Sequence, residues 1–416
     1  MSTSSADSNS AARLAFVGLA FVFLTTMLGT TLPTPLYPVY QQQFGFSQFM
    51  ITVIFAAYGV GVVGALIVTG RWSDQLGRRP LLFGGLMAAA LSDILFLSSQ
   101  GLSWLLAGRV LSGISAGIFT GTATVAVIEL APKDMKPLAT FAATAANMGG
   151  LGLGPVVAGL LGQYGIWPLH LSYLVHLGLV GLALVAVWRA RETVTRSAHP
   201  HLTLQRLSVP GEVRTVFLPA AIASFAGFSV LGFFTATAPA FMSEVLGYSN
   251  LALIGAVAGT AFFASILGQR FQNRLEESLR LPWGCVLVIL GVGLIGTAIA
   301  IVSLGIFLAG AVVAGLGQGI ALRAGLGAIT AASPAEQRGE VTSTFFVVSY
   351  VALSVPVMGI GLVARFAGLS ATGIGFAGFV ALLAVAALVL LLKHRAKASA
   401  QPASQSSSSQ SSCREP

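Results

Sequence analysis

Charge is what this sequence lacks. Only 8% of its 416 residues are Asp, Glu, Lys or Arg, against about a quarter in an ordinary soluble chain. So few ions cannot cover a surface that faces water on all sides. That excludes a soluble enzyme, a nucleic-acid-binding protein and a disordered chain. Cysteine is almost missing as well: Cys285 stands in an apolar stretch and Cys413 in a polar tail, so there is no disulfide framework. No Cys/His/Asp cluster has metal-ligand spacing, no Walker-type glycine loop occurs, and no Ser/His/Asp set suggests a nucleophile. Neither metal, cofactor, ATP-driven step nor enzymatic reaction is expected. What abounds is apolar: 55% hydrophobic residues and a mean hydropathy of +0.86. The chain reads as a polytopic membrane protein.

A bilayer core asks for about 20 apolar residues per helix. Apolar runs between charged or turn-rich breaks give twelve spans: 14–38, 48–70, 80–99, 103–130, 139–162, 168–189, 215–242, 249–269, 283–302, 305–331, 341–365 and 370–392. The first follows a polar leader and lacks a short core with a cleavage site, so it reads as a retained helix and not a signal peptide. With both termini cytoplasmic, 19 of the 22 Lys and Arg fall in cytoplasmic segments; Arg365 alone lies opposite, and Arg109 and Arg323 lie inside spans. This asymmetry sets the orientation and accounts for the net charge of +9 without a nucleic-acid partner.

The expected organisation is a cytoplasmic leader (1–13), a first six-helix bundle (14–189), a polar cytoplasmic loop (190–214), a second bundle (215–392) and a disordered, basic then Ser-rich tail (393–416). Shifting the chain by 202 residues sets LAGRVLSGISAGI (106–118) on LAGAVVAGLGQGI (308–320) and PKDMK (132–136) on PAEQR (334–338). The halves are therefore structural copies, an architecture that holds a substrate at the midplane between them.

Four local patterns sharpen this. GRWSDQLGRRPLL (70–82) lies between spans 2 and 3, RVLSG (109–113) in span 4, GLGLGPVVAG (150–159) in span 5 and LGTTLPTPLYP (28–38) in span 1. Together they resemble the major facilitator superfamily, in particular its twelve-span drug:proton antiporters, and the likeness covers nearly the whole chain. The first matches that family's G-x-x-x-D-x-x-G-R-R signature at Gly70, Asp74, Gly77, Arg78 and Arg79. The second carries Ser112 where the family usually has glutamine, and the third Ala158 in place of one glycine. The resemblance implies an all-α fold of two pseudo-symmetric six-helix bundles and a conformational latch at 70–79. It also implies a proton-coupling role for Arg109, and antiport from the span 5 motif.

The residues can be read on their own terms too. Asp74 beside Arg78 and Arg79 can cap a helix N-terminus and pair with arginine, and a bond of this kind between the halves would hold the cytoplasmic face shut. A plain positive-inside loop is the bland alternative. The corresponding stretch GQRFQNRLEE (268–277) has Gln272 in place of the acid. Gly150, Gly154 and Gly159 with Pro155 allow close helix approach and a bend, either as simple tight contact or as a sealing hinge.

Charges inside spans carry the strongest functional hint, because isolated ions there cost at least ~2.5–3.5 kcal/mol. Arg109 and Asp93 both lie about six residues, ~9 Å, from the outer face. Equal depth on successive spans suggests an ion pair that an incoming proton would release, or else a static pair. Arg323, ~27 Å down span 10, is expected to snorkel to the cytoplasmic rim. Glu129 and Glu340 sit at that rim, and His170 and His176 flank span 6 near the outer face. Cavity candidates are Thr31, Thr34, Pro35 and Tyr37 on span 1 and Phe225 and Phe228 on span 7, a weakly polar, aromatic set suited to amphipathic or aromatic cargo.

The resulting expectation is a monomeric secondary transporter of the inner (plasma) membrane that moves a small organic molecule by proton-coupled alternating access, with export by antiport. An importer of a sugar, vitamin or organic acid is the first rival. A transport-dead sensor or assembly subunit is the second.

Overall fold

In hydrocarbon every backbone N–H and C=O must find a partner within the chain, and a helix achieves this alone. The computed structural model, which describes residues 3–197 and 199–400, has no strand among the described residues. Among the described residues, twelve helices are long and apolar enough to cross a membrane. They are α1 Thr3–Thr31, α2 Gln48–Thr69, α3 Arg78–Leu97, α4 Leu102–Leu130, α5 Lys136–Tyr164, α6 Leu171–Arg189, α7 Arg214–Ala236, α8 Leu251–Phe271, α9 Glu277–Ile301, α10 Leu304–Ala332, α11 Arg338–Ala367 and α12 Leu369–Ala400. Number and order match the sequence reading; the chain ends do not. α1 begins well before residue 14, and α12 continues past 392, where a disordered tail was expected. ADSNSAAR (6–13) and KHRAKASA (393–400) contain neither Gly nor Pro, so nothing stops the helices there. The Ser-rich remainder of that tail, 401–416, lies outside the described residues.

The first helix of each half breaks at the same place. α1 stops before Pro33, and a 3-10 turn at Thr34–Leu36 leads into a short helix Tyr37–Phe44, ended by Gly45 at φ 68°. α7 stops before Thr237 and is followed by Ala238–Ala240 and a π-helical turn at Phe241–Val245. Each break follows from a proline that removes a backbone donor.

The packing repeats with the same period. In the first half α1 packs against α4, α5 and α6, α4 against α2 and α3, and α3 against α6. Adding six to every label gives the pairs of the second half: α7 with α10, α11 and α12, α10 with α8 and α9, and α9 with α12. The halves meet through two exchanged pairs, α5 with α8 and α2 with α11. The duplicated motif at an offset of 202 residues is thus a duplicated bundle.

Both described chain ends lie on one face of the bundle, here the termini end; the opposite face is the far end. The contacts across the seam belong to the middle and the far end. Gly255 of α8 lies on the Pro155 carbonyl of α5, Gly159 on that of Leu251, and Gly259 on that of Gly152. On the other side Gly59 lies against Ser354 and Gly361 against Thr52. A side chain at any of these glycines would push the helices apart, so the far end is sealed by close backbone approach. Large apolar side chains such as Trp188, Leu182, Phe366 and Leu382 stand exposed on the outer surface, a face that only hydrocarbon satisfies.

Candidate functional site

Between the halves lies a cavity of about 170 Å³. Its wall runs from Thr30 and Thr31 at mid-bundle to Thr140, one turn into α5, and Gln269, near the end of α8. It therefore reaches the termini end while the far end is closed. Phe55, Tyr58, Phe228, Phe262, Phe346 and Tyr350 supply aromatic faces. Seven threonines, Asn147 and Gln269 supply hydrogen-bonding groups, and Arg109 and Arg323 supply charge. Among the described residues no carboxylate lines it. Tyr350 of α11 and Thr120 of α4 join hydroxyls across the halves at 3.1 Å.

Of the six cavity candidates, Thr31 and Phe228 are in this wall. Thr34, Pro35 and Tyr37 are not: they are buried on the far side of the break in α1, where Tyr37 belongs to an apolar cluster with Tyr40, Phe96 and Tyr173. The prolines turned the chain outward and carried that stretch out of the cavity. Phe225 is half-buried against the core of the second half.

Arg109 is almost fully buried. One guanidinium nitrogen donates to the Thr30 carbonyl of α1, and the group sits 4.5 Å from the Tyr58 ring centre and 5.5 Å from that of Phe55. A π-face and a bent helix's carbonyl thus hold the cation in place of an anion. Its Nε has no partner. The expected pair with Asp93 is not formed. Asp93 instead meets His176 of α6, Oδ2 to Nδ1 at 2.7 Å, and the other ring nitrogen reaches the Thr25 carbonyl of α1 at 2.9 Å. Both side chains are buried. Helices α3 and α4 nevertheless touch one residue before each ion: the Ser92 hydroxyl donates to the Gly108 carbonyl at 2.8 Å. Asp93 and Arg109 stand at similar depth, as this bond shows, and the rotation of α3 turns the acid toward α6. The same depth argument applied to His176, five residues into α6, would have found the true partner.

Beside the pair lies a small polar crevice of about 10 Å³, room for about one water, lined by Thr26, Gly29, Thr30, Ser92, Ser112 and Ser115 among others. The hydroxyls of Ser112 and Ser115 have no partner in it. Thr30 lines both this crevice and the main cavity.

At the termini end the 70–79 loop is held within its own half. Arg78 pairs with Asp74 at 2.6 Å and with Glu129 of α4 at 3.1 Å, while Arg79 donates to the Val187 and Trp188 carbonyls of α6. The carboxylate that caps the start of α3 is Glu192, not Asp74: it accepts the backbone N–H groups of Arg78 at 2.8 Å and Arg79 at 3.2 Å. Gly77, at φ 99°, lets this carboxylate approach, since a Cβ there would collide with it. Gly70 closes against the Leu66 carbonyl and Gln205. None of these bonds crosses to the second half in this open arrangement. Glu192 had no motif to reveal it, because it arrives from a loop more than a hundred residues downstream.

The α5 motif divides between two neighbours. Gly150 and Gly154 lie on Leu24 and Leu28 carbonyls of α1, within the half, whereas Pro155 and Gly159 meet α8 across the seam. Arg323 does not snorkel away: it lines the cavity and donates to the Gln269 carbonyl at 3.2 Å. Among the described residues no group of His, Cys, Asp and Glu could hold a metal ion.

The sequence matches the family described as Major Facilitator Superfamily over residues 19–355. The tetracycline resistance protein, class D, of Salmonella ordonez is 27% identical over 303 residues, 70% of this chain and 73% of that one. Proteins provisionally named multidrug resistance protein MdtD, from Cronobacter sakazakii and Escherichia coli, are 29% and 28% identical over 40% and 63% of this chain. Those two matches span 35% and 52% of the relatives' own length. Among solved structures, the human organic anion transporter MFSD10 (TETRAN) superposes with a TM-score of 0.68 at 20% identity, covering 91% of this chain and 99% of that one. A bacterial homologue of the human lysosomal transporter Spinster, inward-facing and unoccupied, gives 0.67 at 16%, covering 92% and 95%. At these identities the structural likeness speaks for the fold alone.

Proposed function

The chain belongs to the major facilitator superfamily, a family of multi-pass membrane transporters and not of enzymes, and from that premise we propose that it exports a small organic molecule in exchange for protons. The observation that carries this reading is the cavity between the halves, which reaches the termini end and is closed at the other by glycine seams. Reversing which seam is closed would pass its contents across the membrane. The excess of Lys and Arg at the termini end makes that side cytoplasmic, so the cavity faces the cell interior and awaits cargo there. Residues 70–79 form the latch that re-forms across the halves when this end shuts. Arg109 and Asp93 couple the cycle to protons, and one copy of the chain suffices, since the whole cavity lies within it.

The lining also suggests the cargo. Aromatic faces favour flat or amphipathic molecules, and two arginines without a carboxylate favour an anionic or neutral polar group over a cation. The relatives' names, tetracycline resistance and multidrug resistance, support export. The arginines also lend weight to the rival, proton-linked import of an organic acid.

Reconstituted vesicles with an imposed pH gradient decide between these readings, with fluorescein as an aromatic anion, ethidium as an aromatic cation and protein-free vesicles as control. Export predicts protein-dependent accumulation of fluorescein when the lumen is acidic. Accumulation beyond the control only with an alkaline lumen would mean import. Flux of either dye indifferent to the pH gradient would end the proton-coupled account.

A further inference from the structure

The hydrogen bonds of His176 fix how many protons its site contains. The Thr25 carbonyl can only accept, so the Nε2 facing it at 2.9 Å must carry hydrogen. The Nδ1 then faces Asp93 Oδ2 at 2.7 Å. If the imidazole were neutral and the acid ionised, two lone pairs would meet at that distance. A proton must therefore lie between them, on Asp93 as a carboxylic acid or on His176 as imidazolium. Either way the pair holds one proton more than an ordinary aspartate and histidine, and it is neutral overall. Swapping the tautomer only moves the lone-pair clash to Thr25.

From this geometry we infer that His176 and Asp93 together form the binding site for the transported proton, loaded in the conformation seen here, and that its departure transfers Asp93 to Arg109. This rests on the proton-coupled transport reading and names the carrier within it. When the proton leaves, one of the two ring contacts must break. That frees α6 from either α1 or α3 and leaves a carboxylate buried with net charge −1. Few groups can answer it. α1 presents only Thr25, Thr26, Gly29 and Thr30; α6 adds the phenol of Tyr173, one turn before the histidine; α4 presents Ser112, Ser115 and then Arg109. Arg109 has an unpartnered Nε and sits one residue beyond the Ser92–Gly108 bond that joins α3 to α4. Turning to Asp93 would take it off the Thr30 carbonyl, so α1 would lose that hydrogen bond to α4 and, if the Thr25 contact is the one that breaks, its hydrogen bond to α6.

The proton has a way out. The crevice beside the pair is polar, its Ser112 and Ser115 hydroxyls lack partners, and Thr30 lines both it and the main cavity. A buried site with unsatisfied hydroxyls is suited to ordered water. The proton would pass along that water to the cavity and from there to the termini end, the side on which an exporter must release it.

The test needs no cargo. The full chain, labelled with 15N-histidine and reconstituted in lipid nanodiscs, is titrated from pH 5 to 9 while ring nitrogen shifts and the infrared carboxyl band are followed. The His176 signal is identified by its loss in His176→Gln. The expected result is a single step in which one proton leaves the pair, read either as loss of the Asp93 carboxylic-acid band or as loss of the His176 imidazolium, with Nε2–H hydrogen-bonded throughout the loaded range. In Asp93→Asn that ring should stay neutral across the titration. A His176 ring neutral at every pH with no protonated carboxyl, or a titration unchanged by Asp93→Asn, overturns the inference. The two readings fail separately. If the pair titrates as described but wild-type vesicles show no pH-driven flux, proton coupling is wrong, and the pair shares a proton without carrying it across. If the wild type is pH-driven and His176→Gln moves dye at the same rate per proton, the site is wrong and coupling stands.

Discussion

The imidazole of His176 lies against the bare Cα of Gly29, so close that a methyl group there would overlap the ring. Glycine at this position is thus a slot for the ring, and the slot aims Nε2 at Thr25 and Nδ1 at Asp93. Gly29→Ala should push the ring out and reduce pH-driven flux by about tenfold, while costing ~1–3 kcal/mol of stability. Flux in proteoliposomes, normalised to monodisperse protein, checks this. Wild-type flux in Gly29→Ala would show that the ring's placement is irrelevant to transport.

Arg109 combines a donor to Thr30 with stacking on Tyr58, and a point charge on a flexible stem cannot do both. Arg109→Lys keeps the charge yet should abolish pH-driven flux, with membrane insertion retained. Tyr58→Phe, which keeps the ring face, should stay within about twofold of wild type. A fully active lysine variant would reduce the role of Arg109 to bulk charge.

Glu192 caps the first two N–H groups of α3 and approaches through Gly77. Losing such a cap costs about 1 kcal/mol. Glu192→Ala should therefore lower the melting temperature, and Gly77→Ala should do so more strongly because it adds backbone strain at φ 99°. Asp74 is exposed and contributes little to that fold. Asp74→Asn should leave melting unchanged and slow turnover at unchanged dye affinity, as a latch demands. A weaker dye affinity with normal turnover would argue for a binding role instead.

Twelve spans, their order and the duplication were legible because lipid imposes a composition and a length on each helix. Depth along a span was legible too, and it set Arg109 and Asp93 at one level. Rotation was not. Nothing in the residues around Asp93 says whether it faces α4 or α6, and the answer came only with the slot that Gly29 opens for His176. The prolines of LGTTLPTPLYP predicted a bend but not its direction, so Thr34, Pro35 and Tyr37 were assigned to a cavity they leave. Partners distant in sequence, such as Glu192 for the α3 terminus, leave no local pattern.

Arg323 carries the sharpest consequence for cargo. A guanidinium has five N–H donors, and the Gln269 carbonyl takes one of them while the group stands in the cavity wall near its open end. Arg270 and Arg280 lie nearby as further positive charge, and among the described residues no carboxylate lines the cavity to neutralise it. A cation entering from the termini end meets repulsion first; an anion meets a planar fork matched to a carboxylate. Arg323→Gln should therefore weaken fluorescein binding about tenfold, equivalent to ~1.4 kcal/mol, without lowering ethidium binding. Arg323→Lys should recover part of the loss, since the charge returns without the fork. Fluorescence anisotropy on purified protein measures all three affinities. Equal fluorescein binding in wild type and Arg323→Gln would remove the charge argument and leave the aromatic faces alone to select the cargo.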